Sequence, residues 1–292
     1  MECFRRRRRP SADFETTAPS EPAARRQTTA STAPVAGGQL ERLRDHARRH
    51  GVNPVLYALA RAVLVPFFRI YLRLERIGSE HLPRSGSVLV AANHRSFLDP
   101  FVIGALARRP VYYVAKRELF ASRLQGWLLN ALGAFPVDRG AGDEDALATA
   151  RAILARGDCV VIFPEGTRVR RGPLGPPRRG VGRLALETGA PVVPVAVIGT
   201  EDVRRGWSIR PRKVRIRCGA PLDFPTVTEV SPGLAAAVTK RVWACIGLQW
   251  EWLGGAPRAE ISPRRAERAS SPAAEEPRGS SEDHAVPEAR AA

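Results

Sequence analysis

The chain has 292 residues, which is enough for one large or two small domains with a sizeable core. Residues 1–40 contribute +3 and residues 257–292 contribute −1 to the net charge of +17, so the middle of the chain carries +15. Such a basic body favours an anionic partner: a phosphate-bearing substrate, an anionic lipid surface or nucleic acid. The four cysteines make no Cys-x-x-Cys or Cys/His pattern, which argues against a zinc site or a disulfide framework.

Composition divides the chain into four segments. Residues 1–40 and residues 256–292 are rich in Arg, Pro, Ser and Ala and poor in large apolar residues, so we expect both to be disordered. Residues 41–78 are predicted to form a helical, membrane-associating segment, and residues 79–255 an α/β domain. No apolar run follows the basic stretch Arg5–Arg9, so the sequence predicts no secretion signal.

The most apolar segment is Val52–Leu72. Arg61 and Arg69 interrupt it, and the run between them is far shorter than the ~20 residues that cross a bilayer. The pattern predicts a helix lying in the membrane interface with its arginines reaching lipid phosphates, on the cytoplasmic side of the cell membrane. The alternative is a helix packed on the protein's own core; a tilted full span fits the pattern less well.

After this segment, short apolar runs alternate with amphipathic stretches. The apolar runs predict strands at Val88–Ala92, Val111–Ala115, Ala134–Val137, Cys159–Phe163, Val192–Ile198 and Lys213–Cys218. The amphipathic stretches predict helices at Pro100–Ala107, Leu119–Leu132, Glu144–Arg156, Val181–Thr188 and Leu234–Trp252. This alternation predicts an α/β fold with a mostly parallel central sheet covered by helices, preceded by the N-terminal membrane-interface helix.

The stretch Ser87–Pro100 joins one predicted strand to the next helix and carries His94 and Asp99. On a continuous helix, five residues would turn the two side chains about 140° apart, whereas a loop allows the chain to fold back. Asp99 could then accept a hydrogen bond from one ring nitrogen of His94, leaving the other nitrogen free to take a proton from a hydroxyl. Alternatively, Asp99 only caps the following helix and His94 is a surface loop residue; capping and orienting are not exclusive.

Two further stretches, Phe135–Arg139 and Phe163–Arg168, follow the carboxyl ends of predicted strands, where open α/β sheets bind ligands. If Arg139 and Arg168 leave neighbouring strands, their guanidinium groups could converge on one dianionic phosphate. Gly166 lets the backbone come close to a ligand and could point its N–H group towards it. Taken singly, each arginine is more often a solvated charge than a ligand.

The sequence contains no metal-ligand cluster, no Gly-x-Gly-x-x-Gly or Walker loop, and no serine in a nucleophile elbow. It therefore favours direct group transfer by base catalysis over a covalent enzyme intermediate, with no cofactor and no metal.

Four motifs resemble, in order and spacing, those of the glycerolipid acyltransferase family, whose best-known members act on 1-acylglycerol-3-phosphate (lysophosphatidate). The motifs are Asn93-His94-x-Ser96-x-x-Asp99, the FPVDR stretch ending at Arg139, the FPEGTR stretch ending at Arg168, and Val193-Pro194-Val195-Ala196. The likeness covers roughly residues 63–224, and the four motifs together are specific. One departure is the stretch Val169–Gly172, where the family often has Ser, an acid and Gly; it puts the acceptor's headgroup in doubt.

The resemblance implies that His94 and Asp99 form the catalytic dyad. It also implies a substrate-binding set that consists of Asn93, Ser96, Lys116, Arg139, Glu165, Gly166, Thr167, Arg168 and Pro194. Within this set, the acceptor's phosphate site would consist of Arg139, Glu165, Gly166 and Arg168. Lys116 would add charge there, and Pro194 would shape the acyl-donor site.

The predicted function is transfer of a fatty acyl group from acyl-CoA or acyl carrier protein to the free hydroxyl of 1-acylglycerol-3-phosphate, giving phosphatidate. The expected partners are a lysophospholipid, the acyl donor and an anionic membrane surface, and no nucleic acid. One alternative keeps the chemistry but changes the acceptor to another lysophospholipid, glycerol-3-phosphate or a glycolipid. A more distant alternative is a basic membrane- or nucleic-acid-binding module without catalysis.

Overall fold

The computed structural model describes residues 37–137, 144–205 and 208–255. Within these ranges the chain forms the α-helices α1 (Gly37–Arg49), α2 (Pro54–Ile70), α3 (Asp99–Leu106), α4 (Arg123–Ala131), α5 (Glu144–Ala155), α6 (Gly180–Thr188) and α7 (Pro232–Trp252). The strands are β1 (Glu75–Ile77), β2 (Val88–Ala92), β3 (Val111–Lys116), β4 (Ala134–Val137), β5 (Cys159–Ile162), β6 (Val192–Ile198), β7 (Arg204–Arg205), β8 (Ser208–Ile209) and β9 (Arg215–Cys218).

A seven-stranded sheet organises the molecule, with the strand order β1-β9-β6-β2-β5-β3-β4. Strands β2 to β6 are all parallel to one another; β9 is antiparallel to β6, and β1 pairs in parallel with β9. The predicted α/β fold with a mostly parallel sheet is therefore confirmed. Because the carboxyl ends of β2 to β6 meet at one edge, the loops that follow these strands lie together there.

Strand β1 was not predicted, because its three residues, Glu75–Ile77, include two charged side chains and form no apolar run. It lies within the segment 41–78 that the sequence assigned to membrane association. The sheet thus contains residues from both sides of the boundary predicted at residue 78.

Each face of the sheet is covered by helices, and alternate residues of the strands pack against them. On β2, Leu89 and Ala91 face the core formed with α5, α6 and α7, whereas Val88 and Val90 face the core formed with α2 and α3. Successive side chains point to opposite faces of the sheet, and both faces are covered by helices. Every residue of a central strand is therefore buried, which explains why these strands are continuous apolar runs in the sequence.

The segment predicted as one helix, Leu119–Leu132, is in fact divided. Residues Arg117–Phe120 form a 3₁₀ turn, and α4 begins only at Arg123, after Ser122. Phe120 is fully buried while Leu119 is half-exposed, so the turn anchors this connection to the core before the helix starts.

Helix α2 packs on the core and also exposes an apolar row. Phe68 is buried among strand residues, whereas Val55, Leu59 and Val63, four residues apart, are 60–69% exposed. The expectation that Arg61 reaches lipid phosphates is wrong, because its Nη1 donates to the carbonyl oxygens of Gly104 and Ala107 in and after α3.

Within the described ranges, no single helix has both the length and the apolar character needed to cross a bilayer. Helices α1 and α2 satisfy that test only as a pair, and they are bent by 90° relative to each other.

Candidate active site

The candidate site is built on the loop that follows β2. Asn93 extends the pairing of β2 with β6 by one side chain: its Nδ2 donates to the carbonyl oxygen of Val197 (2.9 Å), and its Oδ1 accepts from the Val197 N–H (2.8 Å). The side chain is fully buried. Asn93 was predicted as a substrate-binding residue; in the structure its amide is used to hold the start of the loop that carries His94.

The carboxylate of Asp99 collects four hydrogen bonds. Its Oδ2 accepts from the backbone N–H groups of Arg95 (2.6 Å) and Ser96 (2.7 Å) and from Nδ1 of His94 (2.8 Å), and its Oδ1 accepts from the hydroxyl of Thr200 (2.5 Å). The N-cap of α3 is Leu98 and not Asp99, so the expectation that Asp99 caps this helix is wrong. Its carboxylate instead holds the preceding loop, by accepting hydrogen bonds from His94, Arg95 and Ser96.

His94 is held in one orientation. Because a carboxylate can only accept, Nδ1 carries the proton towards Asp99, and the neutral imidazole then has Nε2 as its acceptor. Nε2 has no hydrogen-bond partner within the described part of the chain. The ring stacks on Phe163, with centroids 4.1 Å apart, and the side chain is 9% exposed, so His94 is not a surface loop residue.

Glu165, in the loop after β5, holds the loop that carries His94 in place. Its Oε2 accepts from the backbone N–H of His94 (2.7 Å) and its Oε1 from that of Gly175 (2.9 Å). Burial raises the pKa of this carboxyl group, although both backbone hydrogen bonds act in the opposite direction. Glu165 was predicted to bind the acceptor; the structure has both of its oxygens engaged by the protein's own backbone.

The sequence predicted that the N–H group of Gly166 points towards a ligand. In the structure it donates instead to the carbonyl oxygen of Phe163 (3.0 Å). Gly166 has φ +68°, and a Cβ atom there would lie 2.7 Å from Nε of Arg178. The glycine is therefore required for a tight turn with an arginine packed over it.

A cleft of about 370 Å³ opens next to this loop. We call it the arginine cleft, and it is lined by Arg95, Ser96, Phe97, Arg168, Arg170, Glu201 and Arg204. Ser96 and Arg168 were predicted site residues, and they come together here. Glu201 lies among these cations, and burial raises its pKa. Glu201 and Arg204 follow β6, and the strand-end rule that singled out Arg168 would have found them if applied to β6.

Arg95, which fills a variable position of the motif, links three parts of the site. It is 1% exposed; its Nη1 donates to the carbonyl oxygen of Val169 and its Nη2 to that of Gly172, both at 2.7 Å. The guanidinium group also lies 4.2 Å from the centre of the Trp250 ring of α7. The loop after β5 is therefore fastened to the loop after β2.

The other predicted site residues lie outside this cluster. Lys116 ends β3 at the same edge of the sheet and pairs with Glu118 (2.9 Å). Thr167 is exposed beside Arg168, and Pro194 is buried inside β6 opposite Ala91 of β2. The structure thus brings Ser96 and Arg168 to the cleft and leaves these three outside its lining.

Arg139 lies outside the described residues. Convergence of Arg139 and Arg168 required that they follow neighbouring strands, and this condition is not met, because β3 lies between β4 and β5 in the sheet. Two strand spacings, about 10 Å, therefore separate the ends of these strands. Among the described residues, no three His, Cys, Asp or Glu side chains are grouped as metal ligands would be.

A parallel α/β sheet with a histidine–carboxylate pair at the carboxyl end of a strand is the arrangement that the acyltransferase motifs predict. Residues 73–198 match the family model described as "Acyltransferase". The chain is 31% identical over 144 residues to the 1-acyl-sn-glycerol-3-phosphate acyltransferase of Bacillus subtilis, covering 49% of this chain and 70% of that protein. The chain therefore belongs to the acyltransferase family.

Two further comparisons agree with this. The chloroplastic 1-acyl-sn-glycerol-3-phosphate acyltransferase BAT2 of Brassica napus is 31% identical over 172 residues, which is 58% of this chain and 48% of that protein. The chain thus spans about half the length of this plant relative. The crystal structure of the 1-acyl-sn-glycerophosphate (LPA) acyltransferase PlsC from Thermotoga maritima superposes with a TM-score of 0.57 at 25% identity, covering 76% of this chain and 89% of that one.

Proposed function

We propose that the protein transfers a fatty acyl group from an acyl thioester to the free hydroxyl of 1-acylglycerol-3-phosphate, giving phosphatidate. The observation that carries the proposal is the 2.8 Å hydrogen bond between Nδ1 of His94 and the buried carboxylate of Asp99, next to a cleft lined by arginines. The names of the relatives in Bacillus subtilis and Brassica napus support the choice of acceptor.

The reaction requires one proton to move out and back. Nε2 of His94 accepts the proton of the acceptor's hydroxyl as its oxygen attacks the thioester carbonyl carbon. The imidazolium that forms is stabilised by the carboxylate of Asp99, which also prevents the ring from turning. When the C–S bond breaks, the imidazolium returns the proton to the thiolate, so the enzyme carries no covalent intermediate.

The arginine cleft supplies the positive charge that the acceptor's phosphate requires. Arg168 and Arg170 come from the loop after β5 and Arg204 from the segment after β6, so guanidinium groups of two loops line one cleft. Planar guanidinium groups bind a phosphate through paired hydrogen bonds and hold it in a fixed orientation. In this proposal the phosphate fixes the acceptor so that its hydroxyl reaches His94.

The donor is proposed to be acyl-CoA or acyl carrier protein. We further propose that the protein works on the cytoplasmic side of the cell membrane as a peripheral or monotopic protein, with α2 lying in the interface. The exposed apolar row of Val55, Leu59 and Val63 supports this position, because buried apolar area drives interfacial binding.

Replacing His94 by Ala tests the mechanism. We expect the rate of transfer from radiolabelled acyl-CoA to 1-acylglycerol-3-phosphate to fall at least about 100-fold, the usual size of a general-base contribution. His50→Ala is the control, because His50 is an exposed histidine directly after α1. A His94→Ala protein that retains a normal unfolding transition and a near-normal rate would refute the mechanism.

The same assay with a panel of acceptors decides between the proposal and its nearest alternative. Wild-type protein should be faster with 1-acylglycerol-3-phosphate than with other lysophospholipids, glycerol-3-phosphate or a glycolipid. Faster acylation of one of these would keep the chemistry but change the substrate. Binding without turnover for every acceptor and donor, indifferent to His94, would favour the non-catalytic module.

A further inference from the structure

Four arginines gather at the end of α3, on the side of the molecule that carries α2. Arg61 donates to the carbonyl oxygens of Gly104 and Ala107, and Nη1 of Arg76 donates to that of Ala105 at 3.3 Å. Arg108 follows Ala107 in the chain, and Arg69 lies two turns after Arg61 on α2. We call Arg61, Arg69, Arg76 and Arg108 the arginine cluster.

The carbonyl groups at the end of α3 account for only two of these four positive charges. The last carbonyl groups of a helix carry about half a negative charge, and the hydrogen bonds from Arg61 and Arg76 already satisfy them. Arg69 and Arg108 are exposed and make no hydrogen bond or ion pair with another described residue. Burial lowers the pKa of Arg76, and the neighbouring charges of Arg69, Arg108 and Arg61 lower it further, so the cations of the cluster repel one another.

A cavity of about 770 Å³ adjoins the cluster. Arg61 and Arg108 line it, and its wall along α2 consists of small apolar side chains such as Ala58, Ala62 and Val65. The carboxylate in its lining, Asp158, is already paired with Arg156 (2.6 Å) and, at 4.0 Å, with Arg109. The cavity therefore combines surplus positive charge with an apolar wall.

The cluster is separate from the candidate active site. Helix α3 begins at Asp99, at the catalytic edge of the sheet, and its eight residues carry the chain about 12 Å away before Arg108. A phosphate bound there would lie at the opposite end of α3 from His94.

We propose that the arginine cluster and the adjoining cavity bind an anionic phospholipid of the membrane, with the phosphate at Arg108, which lines the cavity, and the first part of an acyl chain along the apolar wall that α2 forms. Helix α2 carries both the exposed apolar row and one wall of the cavity, so an α2 that lies in the interface brings the cavity to the lipids, which favours a lipid over free phosphate. The inference rests on the interfacial position of α2 proposed above, and not on the chemistry of His94.

The test compares binding of full-length variants to sedimenting vesicles of phosphatidylcholine with and without phosphatidylglycerol. Arg69→Gln with Arg108→Gln should weaken binding to the anionic vesicles on the order of tenfold and leave binding to neutral vesicles unchanged. The matched control is Lys240→Gln with Arg241→Gln, which removes two exposed charges from α7 on the opposite face of the sheet. Inorganic phosphate is added as a competitor.

The proposal is overturned if the double variant binds anionic vesicles like wild type, or if the control loses as much. Displacement of the wild-type protein, but not of the double variant, by inorganic phosphate would support a phosphate contact at these arginines. His94→Ala must bind both kinds of vesicle normally. Acyl transfer measured in neutral detergent should be unchanged in the double variant, so failure of this inference and failure of the proposed function are separable.

Discussion

At the scale of single residues, Thr200 decides where the carboxylate of Asp99 points. Its hydroxyl donates to Oδ1 at 2.5 Å while Oδ2 receives the hydrogen bonds of the loop and of His94. Thr200 is fully buried, so water does not replace this donor. We regard it as a positioning residue that acts on the histidine through the aspartate.

Thr200→Val keeps the shape of the side chain and removes the donor. We expect kcat to fall about tenfold with little change in the KM for the acceptor, because a hydrogen bond to a charged group contributes about 1.5–3 kcal/mol. Steady-state kinetics measure both constants. Thr200→Ser restores the hydroxyl and should recover most of the activity; a valine variant with normal kcat, or a serine variant as slow as valine, contradicts the role.

The sequence predicted the histidine–aspartate contact but not its supports. The five-residue spacing and the strand-to-helix position of His94 and Asp99 are local, so they can be read along the chain. Thr200 and Glu165 are 101 and 71 residues away from their partners, and only the pairing of β2 with β6 and β5 brings them together. For Glu165 and Gly166 the motif was recognised, but their contacts with backbone and turn could not be inferred from residue type.

At the scale of secondary-structure elements, α6 and α7 approach each other unusually closely at Gly182. Its N–H donates to the hydroxyl of Thr239 (2.9 Å), and a Cβ atom added at Gly182 would lie 2.7 Å from that hydroxyl oxygen and in collision with the carbonyl oxygen of Ala235. The backbone of α7 cannot move away without displacing the side chains that it packs on the sheet, such as Trp243.

Gly182→Ala should therefore lower the free energy of unfolding by about 3 kcal/mol or somewhat more, although alanine is the better helix former. Gly247→Ala is the matched control on α7: it has open space around it, and we expect a gain of about 0.5–1 kcal/mol. Urea denaturation measures both changes. Equal effects of the two substitutions would show that close packing does not decide the outcome.

Element positions were predictable wherever the apolar pattern was strong. The bounds of β2, β4 and β6 agree with the prediction, because each is a short buried run between polar residues. The order of strands was not predictable, since neither β4 nor β5 carries a signal for its neighbour in the sheet. Strand β3 lies between them and separates the end of β4 from the end of β5.

At the scale of the whole molecule, the two faces of the sheet carry different surfaces. Helix α2 exposes Val55, Leu59 and Val63 in a row on one face. On the other face, α7 exposes Leu234, Leu248 and Trp252; Leu234 is far from the other two, and the guanidinium group of Arg217 lies over the Trp252 ring. If α2 lies in the membrane interface, only the first face should matter for membrane binding.

Replacing Val55, Leu59 and Val63 together by Ser should lower binding to phosphatidylglycerol-containing vesicles at least about tenfold, because their apolar area no longer enters the interface. The unfolding free energy should change little, since these side chains are already exposed. Leu234→Ser with Leu248→Ser is the control and should bind as wild type. Vesicle sedimentation measures both variants. An equal loss of vesicle binding in both would contradict the proposal that only the face carrying α2 contacts the membrane.

The contacts of Arg95 have a consequence for how this site can change in evolution. One buried side chain holds Val169 and Gly172 of the neighbouring loop and stacks on Trp250. A lineage that loses this arginine loses all of these contacts at once, and the cost of the substitution depends on what already occupies positions 169–172 and 250. Substitutions at these positions should therefore be epistatic, and an enzyme with another residue at position 95 should carry compensating changes in both the loop and α7.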